Sequence, residues 1–308
     1  MVVETRFIVN PASSNGSTGR RWRIYEKSLR RELGLAFDVR FTRRSGDGVG
    51  LVREAIASGI TTIVSVGGDG TLNEFVNGFL GEDGHPLNRE ARVAILPVGT
   101  GGDFVRTLPM PKSPSDFVSL MREGRTRRID AGRCTFRMSE EEKSRFFVNI
   151  AEFGSGGAVV DRVNRTTKVL GGRMSFLIAI LRTLPKYRNT RVIYQADGGP
   201  PQEAVVNDFV VANGRYFGAG LMPAPHADLE DGLFDVVVFG DIDFKTARRN
   251  LPALRRGEHL SLKEVRSFRC RSLTVQSEGE MIDLDGEFVG RNPLRFEVLP
   301  NAVPMLVE

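Results

Sequence analysis

Two kinds of hydrophobic pattern alternate along the first 125 residues of the chain. Short runs rich in β-branched residues predict strands, here at Thr5–Asn10, Ala36–Phe41, Thr61–Val66 and Val93–Val98. Longer stretches with helical spacing of apolar positions predict helices, here at Arg20–Leu33, Val49–Ala57 and Ser115–Glu123. This alternation predicts a doubly wound α/β domain, with a parallel sheet covered by helices on both faces.

The pattern changes after residue 125, where short alternating runs follow one another with brief connections. The predicted strands are Ile129–Phe136, Arg145–Phe153, Thr190–Ala196, Ala204–Ala212, Leu233–Phe239, Ser261–Phe268, Ser272–Ser277, Met281–Leu284 and Leu294–Val298. Two helices interrupt them, at Gly172–Leu184 and Asp243–Arg256. We expect two domains, an α/β domain over 1–125 and a C-terminal β-sandwich domain over 126–308, whose last residues can pack back on the first domain.

The segment Thr61–Glu74 carries the strongest chemical signal. Five of the six residues in Thr61–Val66 are β-branched, and the run ends in Gly67-Gly68-Asp69-Gly70. Thr71-x-x-Glu74 then predicts a capping box that opens a helix. Glycines let backbone amides approach a ligand closely, and the helix end adds a positive dipole, so the segment predicts an anion site. Asp69 beside phosphates requires a bridging divalent cation or a role in proton transfer.

Two further loops follow predicted strands, Asn10–Gly16 and Gly99–Phe104. Each alone can be a simple turn, and Asp103 can serve as the N-cap of a short helix over Phe104–Leu108. Because the carboxyl ends of parallel strands meet at one sheet edge, all three loops are expected to converge there.

Two acidic segments in the second half leave alternatives open. The run from His226 to Leu233 contains Asp228 and Asp231 before a glycine, which suits either an ordinary turn or a hard cation. Met281–Phe288 contains Asp285-Gly286 between alternating residues, which is first a hairpin signal.

Composition and missing motifs exclude several classes of function. The 308 residues are 41% apolar and 26% charged, with a net charge of +5 that favours an anionic partner. The first residues lead directly into a strand, so no signal peptide is expected, and the two cysteines fit a reduced cytosolic setting. P-loop, dinucleotide-binding Rossmann and protein-kinase motifs are missing from the sequence, and so is a basic and aromatic platform for nucleic acid. Gly172–Leu184 suits a core helix or an element that touches anionic lipid.

Taken in order, these motifs resemble the diacylglycerol kinase catalytic-domain lipid kinases. The similarity is closest to the soluble bacterial members, with sphingosine and ceramide kinases as relatives. The segments that carry it are Asn10-Pro11, Gly67–Glu74, Pro97–Phe104, Ile129–Gly132, Val211–Gly220, Ala224–Asp235 and Leu284–Glu287. Each segment is weak alone, but their order and spacing are specific.

The resemblance implies an NAD kinase-like fold that uses ATP and Mg²⁺ to phosphorylate a membrane lipid such as diacylglycerol. It assigns to ATP the residues Asn10, Pro11, Ala12, Ser13, Ser14, Thr42, Gly68, Asp69, Gly70, Thr71, Leu72, Asn73, Glu74, Thr100 and Asp103. Asp69 is implied near the transferred phosphate, and Glu287 as the general base with Asp285 nearby. A second, structural Mg²⁺ is implied at Asp228, Asp231 and the Leu233 carbonyl, linked to Asp130.

We expect a cytoplasmic protein that associates peripherally with membranes, where its lipid substrate lies, and that can form a homodimer. Because the sequence has no basic and aromatic platform, we expect no binding of nucleic acid. One departure is Gly102, where many relatives have Asn. Two rival hypotheses remain open: a kinase of a soluble acceptor such as NAD on the same scaffold, and a non-catalytic protein that binds nucleotide or lipid.

Overall fold

The structure is a computed structural model that describes residues 4–34, 36–98, 102–139, 141–165, 179, 182–277 and 279–308. The chain divides into two compact units. The first comprises Met1–Ile129 together with Asn301–Glu308, and the second comprises Asp130–Pro300.

The first unit alternates strands and helices. Its elements are β1 (Thr5–Val9), α1 (Ser17–Leu33), β2 (Phe37–Phe41), α2 (Asp47–Ala57), β3 (Thr62–Val66), α3 (Asp69–Phe79), β4 (Arg92–Leu96), α4 (Phe104–Thr107) and α5 (Pro114–Glu123). The strands pair in parallel in the order β4-β3-β1-β2. Met305 near the end of the chain pairs in parallel with Val93 of β4. The predicted parallel α/β architecture is confirmed.

The core of the first unit is built around Phe7 of β1. Its ring lies 5.5 Å from that of Trp22 on α1, 4.8 Å from Phe37 on β2 and 5.9 Å from Phe117 on α5. All four side chains are buried. Every residue of β1 and β3 is buried as well, as expected for strands covered on both faces.

The second unit consists mainly of antiparallel strands. They are β5 (Arg125–Met138), β6 (Glu141–Phe147), β7 (Ile150–Gly154), β8 (Thr190–Ala196), β9 (Gln202–Val206), β10 (Asp208–Ala212), β11 (Phe234–Phe239), β12 (Val265–Cys270), β13 (Ser272–Gln276), β14 (Met281–Leu284) and β15 (Glu287–Val307). Among the described residues of this unit, two α-helices accompany them, α6 (Ser155–Arg165) and α7 (Phe244–Arg256).

Within this unit, one run of strands has the order β12-β11-β10-β7-β14-β15. β15 also pairs with β13, which continues through β8 to β9, and with β5, which pairs with β6. The rings of Phe153, Phe209 and Phe296 stack in the shared core, with centroids 4.7 and 6.1 Å apart. Strands from both runs enclose this core, which is the predicted β-sandwich arrangement.

The structure corrects several element boundaries. The predicted strand Arg145–Phe153 is two strands, because the amides of Val148 and Asn149 between them donate to the Asp285 carboxylate instead of a neighbouring strand. The predicted strand Ala204–Ala212 is likewise interrupted at Asn207, and α6 was not predicted. The predicted helix at Gly172–Leu184 lies largely outside the described residues.

Among the described residues, no helix is long and apolar enough to cross a membrane.

Gly132 on β5 is paired across the ladder with Phe147 on β6, whose ring lies over it. A Cβ at position 132 would approach the Phe147 ring to 2.1 Å, and that buried ring stacks on Phe234 at 5.6 Å. We predict that Gly132→Ala lowers the free energy of unfolding by about 2 kcal/mol or more, because the overpacked ring must leave its rotamer.

The matched control is Gly50→Ala in α2, where an added Cβ meets nothing within 4 Å. Alanine there should be neutral or stabilising by up to about 1 kcal/mol. Urea unfolding of both variants measures the difference, and equal midpoints for the two would contradict the packing described.

Candidate active site

Three loops follow the carboxyl ends of parallel strands in the first unit. The loop after β1 starts at Asn10, whose backbone amide continues the sheet by donating to the Val66 carbonyl at 2.9 Å. Asn10 Oδ1 accepts from the Ala12 amide at 3.1 Å, and its Nδ2 donates to Thr71 Oγ1 on α3 at 3.1 Å. Asn10 therefore fastens the first loop to the start of the helix that follows β3.

The rest of the first loop is held by hydroxyl groups. Ser13 Oγ donates to Thr18 Oγ1 at 2.6 Å, and the buried Thr18 hydroxyl donates to the Val98 carbonyl after β4 at 2.6 Å. Ser14 has a positive φ of 51°, followed by Asn15 and Gly16 at 55° and 78°, so the loop turns tightly before α1. Pro11, Ala12 and Ser14 lie in this turn. Sequence reasoning did not find Thr18, because a hydroxyl inside a helix carries no distinguishing pattern.

The loop after β3 is the Gly67-Gly68 pair. A Cβ on Gly67 would clash with the Thr71 hydroxyl, so only glycine fits there, whereas a Cβ on Gly68 would meet no described atom within 4 Å. Gly68 is the N-cap of α3, and it makes no side-chain cap. The backbone at this turn is thus accessible to a ligand, as predicted for an anion site.

Asp69 is the central group of this edge. Its Oδ2 accepts from the Asp103 amide at 2.8 Å and its Oδ1 accepts from the Phe104 amide at 3.2 Å. A carboxylate at these two amides caps α4, so Asp69 joins the loop after β3 to the loop after β4. The predicted side-chain cap by Asp103 itself is wrong, since Asp103 makes no cap and instead lies 3.4 Å from Arg106 Nε.

Gly102 lies directly against this carboxylate. A Cβ at position 102 would lie 3.2 Å from Asp69 Oδ1, which is tighter than ordinary contact. Glycine at position 102 therefore gives Asp69 room next to α4. Thr100, which the sequence assigned to ATP, lies outside the described residues.

The predicted capping box at Thr71 and Glu74 is wrong. α3 already begins at Asp69, and the Glu74 carboxylate accepts from the amides of Gly46 and Gly48, both at 2.8 Å. Glu74 thus caps α2, because the start of α2 lies beside α3 and supplies amide donors that the helix itself leaves unpaired.

The remaining residues assigned to ATP divide into two groups. Gly70 lies in the first turn of α3, and Thr42 lies after β2, where its amide donates to the Val9 carbonyl at 3.0 Å. Leu72 and Asn73 are buried within α3. Hydrogen bonds join Asn10 to Thr71 and to Ser13, and they join Asp69 to the Asp103 amide. The assignment of these residues to ATP stays a prediction.

In the second unit, Asp285 and Gly286 form the two-residue turn between β14 and β15. Their positive φ angles of 54° and 89° and the pairing of Leu284 with Glu287 confirm the predicted hairpin. The buried Asp285 carboxylate accepts from the amides of Val148, Asn149 and Ile150 at 3.0, 2.9 and 3.0 Å. These bonds hold the turn against the start of β7, and they thereby fix the position of the half-buried Glu287, which follows the turn.

A row of buried acids runs beside this hairpin. Glu152 on β7 is opposite Asp283 on β14, and their carboxyl groups are hydrogen-bonded to each other. Burial raises the pKa of both groups well above the usual range, and the neighbouring Asp208 and Asp285 raise the pKa of Glu152 and Asp283 respectively. The interaction between the two carboxyl groups acts in opposite directions, since it raises the pKa of Glu152 and lowers the pKa of Asp283.

Asp208 is the first residue of β10 and lies beside the first turn of α6, where its Oδ1 accepts from the Gly156 amide at 3.2 Å. Burial raises the pKa of Asp208 to about 7, although the amides of Gly156 and Phe209 act in the opposite direction. The sequence analysis did not single out Glu152, Asp208 or Asp283. The available signal was an acidic residue within or beside a predicted buried strand, which is uncommon.

The acidic turn after β10 is closed by hydrogen bonds. The buried Asp130 accepts from the Gly232 amide at 2.7 Å, Asp228 accepts from the Glu230 amide at 3.1 Å, and Asp231 accepts from the Leu233 amide at 3.0 Å. Asp231 is also paired with the Arg269 guanidinium.

In the part of the chain that the structure describes, no cluster of three His, Cys, Asp or Glu side chains is arranged to hold a metal. Arg269 already pairs with Asp231 at the acidic turn, and the structural Mg²⁺ there stays a prediction. Asp69 differs, because its carboxylate lies at the sheet edge beside Gly68, and carboxylate oxygens are ligands that hard cations prefer. Asp69 is therefore the group that would hold a divalent cation there, and the cation would neutralise phosphate charge.

Comparison with known proteins decides the family. Residues 4–134 match the family model described as the diacylglycerol kinase catalytic domain, and residues 149–307 match the YegS C-terminal NAD kinase beta sandwich-like domain. A diacylglycerol kinase of Mycobacterium tuberculosis is 30% identical over 260 residues, which cover 83% of this chain and 80% of that relative. The chain belongs to the diacylglycerol kinase catalytic-domain family.

Other members of the diacylglycerol kinase family agree with this assignment. A diacylglycerol kinase of Bacillus subtilis is 28% identical over 299 residues, covering 94% of this chain and 92% of the relative. The crystal structure of a diacylglycerol kinase from Bacillus anthracis str. Sterne superposes with a TM-score of 0.70 at 20% identity, over 99% of this chain and 97% of that one. That structural likeness confirms the fold, and family membership makes the protein a lipid-kinase homologue with a nucleotide substrate.

The raised pKa of Asp208 gives a testable pH dependence of stability. The unfolded chain releases this proton near pH 4, whereas the folded protein keeps it to about pH 7. The unfolded state therefore binds fewer protons between these values, and the wild-type free energy of unfolding falls as pH rises through that window. We predict that Asp208→Asn removes this loss and gains about 2 kcal/mol relative to wild type between pH 5 and pH 8.

Urea unfolding at pH 5 and pH 8 measures this gain, with the exposed Asp116→Asn as a control that should leave the pH slope unchanged. Parallel pH profiles for wild type and Asp208→Asn would contradict the assignment of the titration to Asp208.

Proposed function

We propose that this protein transfers the γ-phosphoryl group of ATP to the hydroxyl of a membrane lipid such as diacylglycerol. The observation that carries the proposal is the Asp69 carboxylate, held by two amides beside the open Gly68 backbone at the carboxyl edge of a parallel sheet. Such edges are where open α/β sheets bind phosphate-bearing ligands. Family membership supports the reaction class.

The first unit is assigned the nucleotide. Backbone amides of the glycine loop and the dipole of α3 neutralise and orient the phosphates, which is most of what phosphoryl transfer needs from a protein. The Asn10–Ser14 turn, which is hydrogen-bonded to Thr71, is assigned to the same phosphate site. Mg²⁺, when bound, would neutralise charge on the phosphate oxygens, and Asp69 is the group that fits it.

The second unit is assigned the acceptor. Glu287 takes the proton of the lipid hydroxyl while the hydroxyl oxygen forms a bond to the γ-phosphorus of ATP. The bond between the γ-phosphorus and the bridging oxygen breaks at the same time, and ADP leaves with that oxygen. Asp285 is a positioning residue, since its carboxylate is engaged by three amides and fixes the turn from which Glu287 projects.

The acceptor is tested with purified protein and radiolabelled ATP. Mixed micelles of diacylglycerol, phosphatidylglycerol, sphingosine or ceramide, a total lipid extract, and NAD as a soluble acceptor are offered in parallel. Label in a lipid supports the proposal. Label in NAD alone favours the soluble-acceptor kinase, and absence of label in every acceptor favours a non-catalytic binding protein.

Asp69→Asn is predicted to lower kcat by about a thousandfold or more, because the group closest to the transferred charge loses its own charge. Asparagine keeps one oxygen that can accept an α4 amide, so the fold should persist, as circular dichroism and the urea midpoint can check. Asp116→Asn serves again as the surface control. Turnover close to wild type in Asp69→Asn would remove Asp69 from the mechanism.

Glu287→Gln is predicted to lower kcat by about a hundredfold or more while the dissociation constant for ATP changes little. A lost base slows only the proton transfer, so the pH dependence of kcat should also flatten. Unchanged kcat, or weaker ATP binding with normal kcat, would assign the base to another residue.

A further inference from the structure

A cavity of about 360 Å³ lies at the amino ends of the parallel strands in the first unit. Its lining includes Thr5, Thr62 and Arg92, which begin β1, β3 and β4. The loops assigned to the nucleotide follow the other ends of these strands. Since each strand has five residues, about 16 Å of sheet separates the cavity from those loops.

Three arginines line this cavity: Arg89, Arg92 and Arg128. None of them forms an ion pair with any described residue, although Glu4 and Glu90 line the same cavity. Arg6 in the same unit behaves differently, because its guanidinium pairs with Asp38 at 2.9 Å and Glu54 at 3.0 Å. The cavity is therefore lined by guanidinium groups that form no ion pair with a described carboxylate.

The three arginine side chains differ in how they are held. Arg92 is half-buried, and its Nε donates to Thr62 Oγ1 at 3.1 Å, which fixes its side chain and leaves its terminal nitrogens available. Arg89 and Arg128 are exposed. Guanidinium groups present fork-shaped pairs of donors that match the oxygens of a phosphate.

The size and charge of the cavity restrict the ligand further. Its volume is at the lower end of the range for small-molecule sites, so it can hold a phosphate with a short polar substituent. Three arginines and two glutamates leave a formal excess of one positive charge. The two carboxylates would repel further anionic groups and can accept from hydroxyl groups of the substituent.

We propose that this cavity, called here the arginine pocket and defined by Arg89, Arg92 and Arg128, binds a phosphomonoester. The ligand is either a free phosphorylated metabolite or the head group of a phospholipid, which share the same recognised chemistry. The proposal concerns the first unit alone and does not depend on the proposed reaction.

The test uses the full chain and two variants with equal loss of charge. The pocket variant is Arg89→Ala/Arg128→Ala, which keeps the hydrogen-bonded Arg92. The control is Arg53→Ala/Arg248→Ala, which removes two exposed arginines outside the cavity that also lack ion-pair partners among the described residues. All four positions are exposed and unpaired, so neither variant should unfold, and equal urea midpoints verify this.

Calorimetric titration with sn-glycerol 3-phosphate probes the free metabolite. Sedimentation with phosphatidylcholine vesicles doped with phosphatidic acid probes the head group. For at least one probe we expect binding by wild type and control, and affinity weaker by about tenfold or more in the pocket variant. Any anion binding at the nucleotide loops would survive in both variants, so their difference isolates the arginine pocket.

Loss confined to glycerol 3-phosphate supports a soluble ligand, and loss confined to the vesicles supports a lipid head group. If wild type binds neither probe, or if the pocket variant binds both as tightly as the control, the proposal is overturned. Failure of the kinase assay leaves these binding outcomes unaffected, so the two proposals fail separately.

Discussion

The hydrogen bonds from two α4 amides to the Asp69 carboxylate are the contact on which the candidate site depends. They hold the Asp69 carboxylate at the start of α4, and they join two loops that are distant in sequence. Close packing makes the contact possible, since Gly67 leaves room for Thr71 and Gly102 leaves room for Asp69 itself. The amides at the start of α4 have no acceptor within the helix, and Asp69 accepts from two of them. These bonds fix the position of the Asp69 carboxylate.

The second unit shows the opposite use of carboxyl groups. Glu152, Asp208 and Asp283 are buried with few partners, and one oxygen each of Glu152 and Asp283 has no hydrogen-bond partner among the described residues. Burying such groups costs stability, and burial accordingly raises the pKa of all three carboxyl groups. Asp285, only two residues from Asp283, is satisfied by three amides. The contrast separates a carboxylate that holds a turn, Asp285, from buried carboxyl groups whose pKa values are raised. Buried acids with raised pKa values occur often at functional sites.

Much of this architecture could be predicted from local patterns. The β-branched runs of β1 and β3 and the glycines after β3 specify strands and an accessible turn, and Asp285-Gly286 specifies a hairpin. What sequence could not give were contacts set by tertiary neighbours. Glu74 caps α2 because α2 packs beside α3, and the break at Val148 exists because Asp285 captures its amide. Buried acids on strands were visible in the sequence, but their pairing depends on strand register, which the pattern left open.

The central claim, that the Asp69 edge of the first unit binds the nucleotide phosphates, is tested most directly by amide hydrogen exchange with and without ATP and magnesium. The account predicts slower exchange on nucleotide addition at residues 12–16, 67–71 and 102–106, with Asp69→Asn losing this protection. Unchanged exchange in all three segments, together with protection elsewhere in the chain, would contradict it.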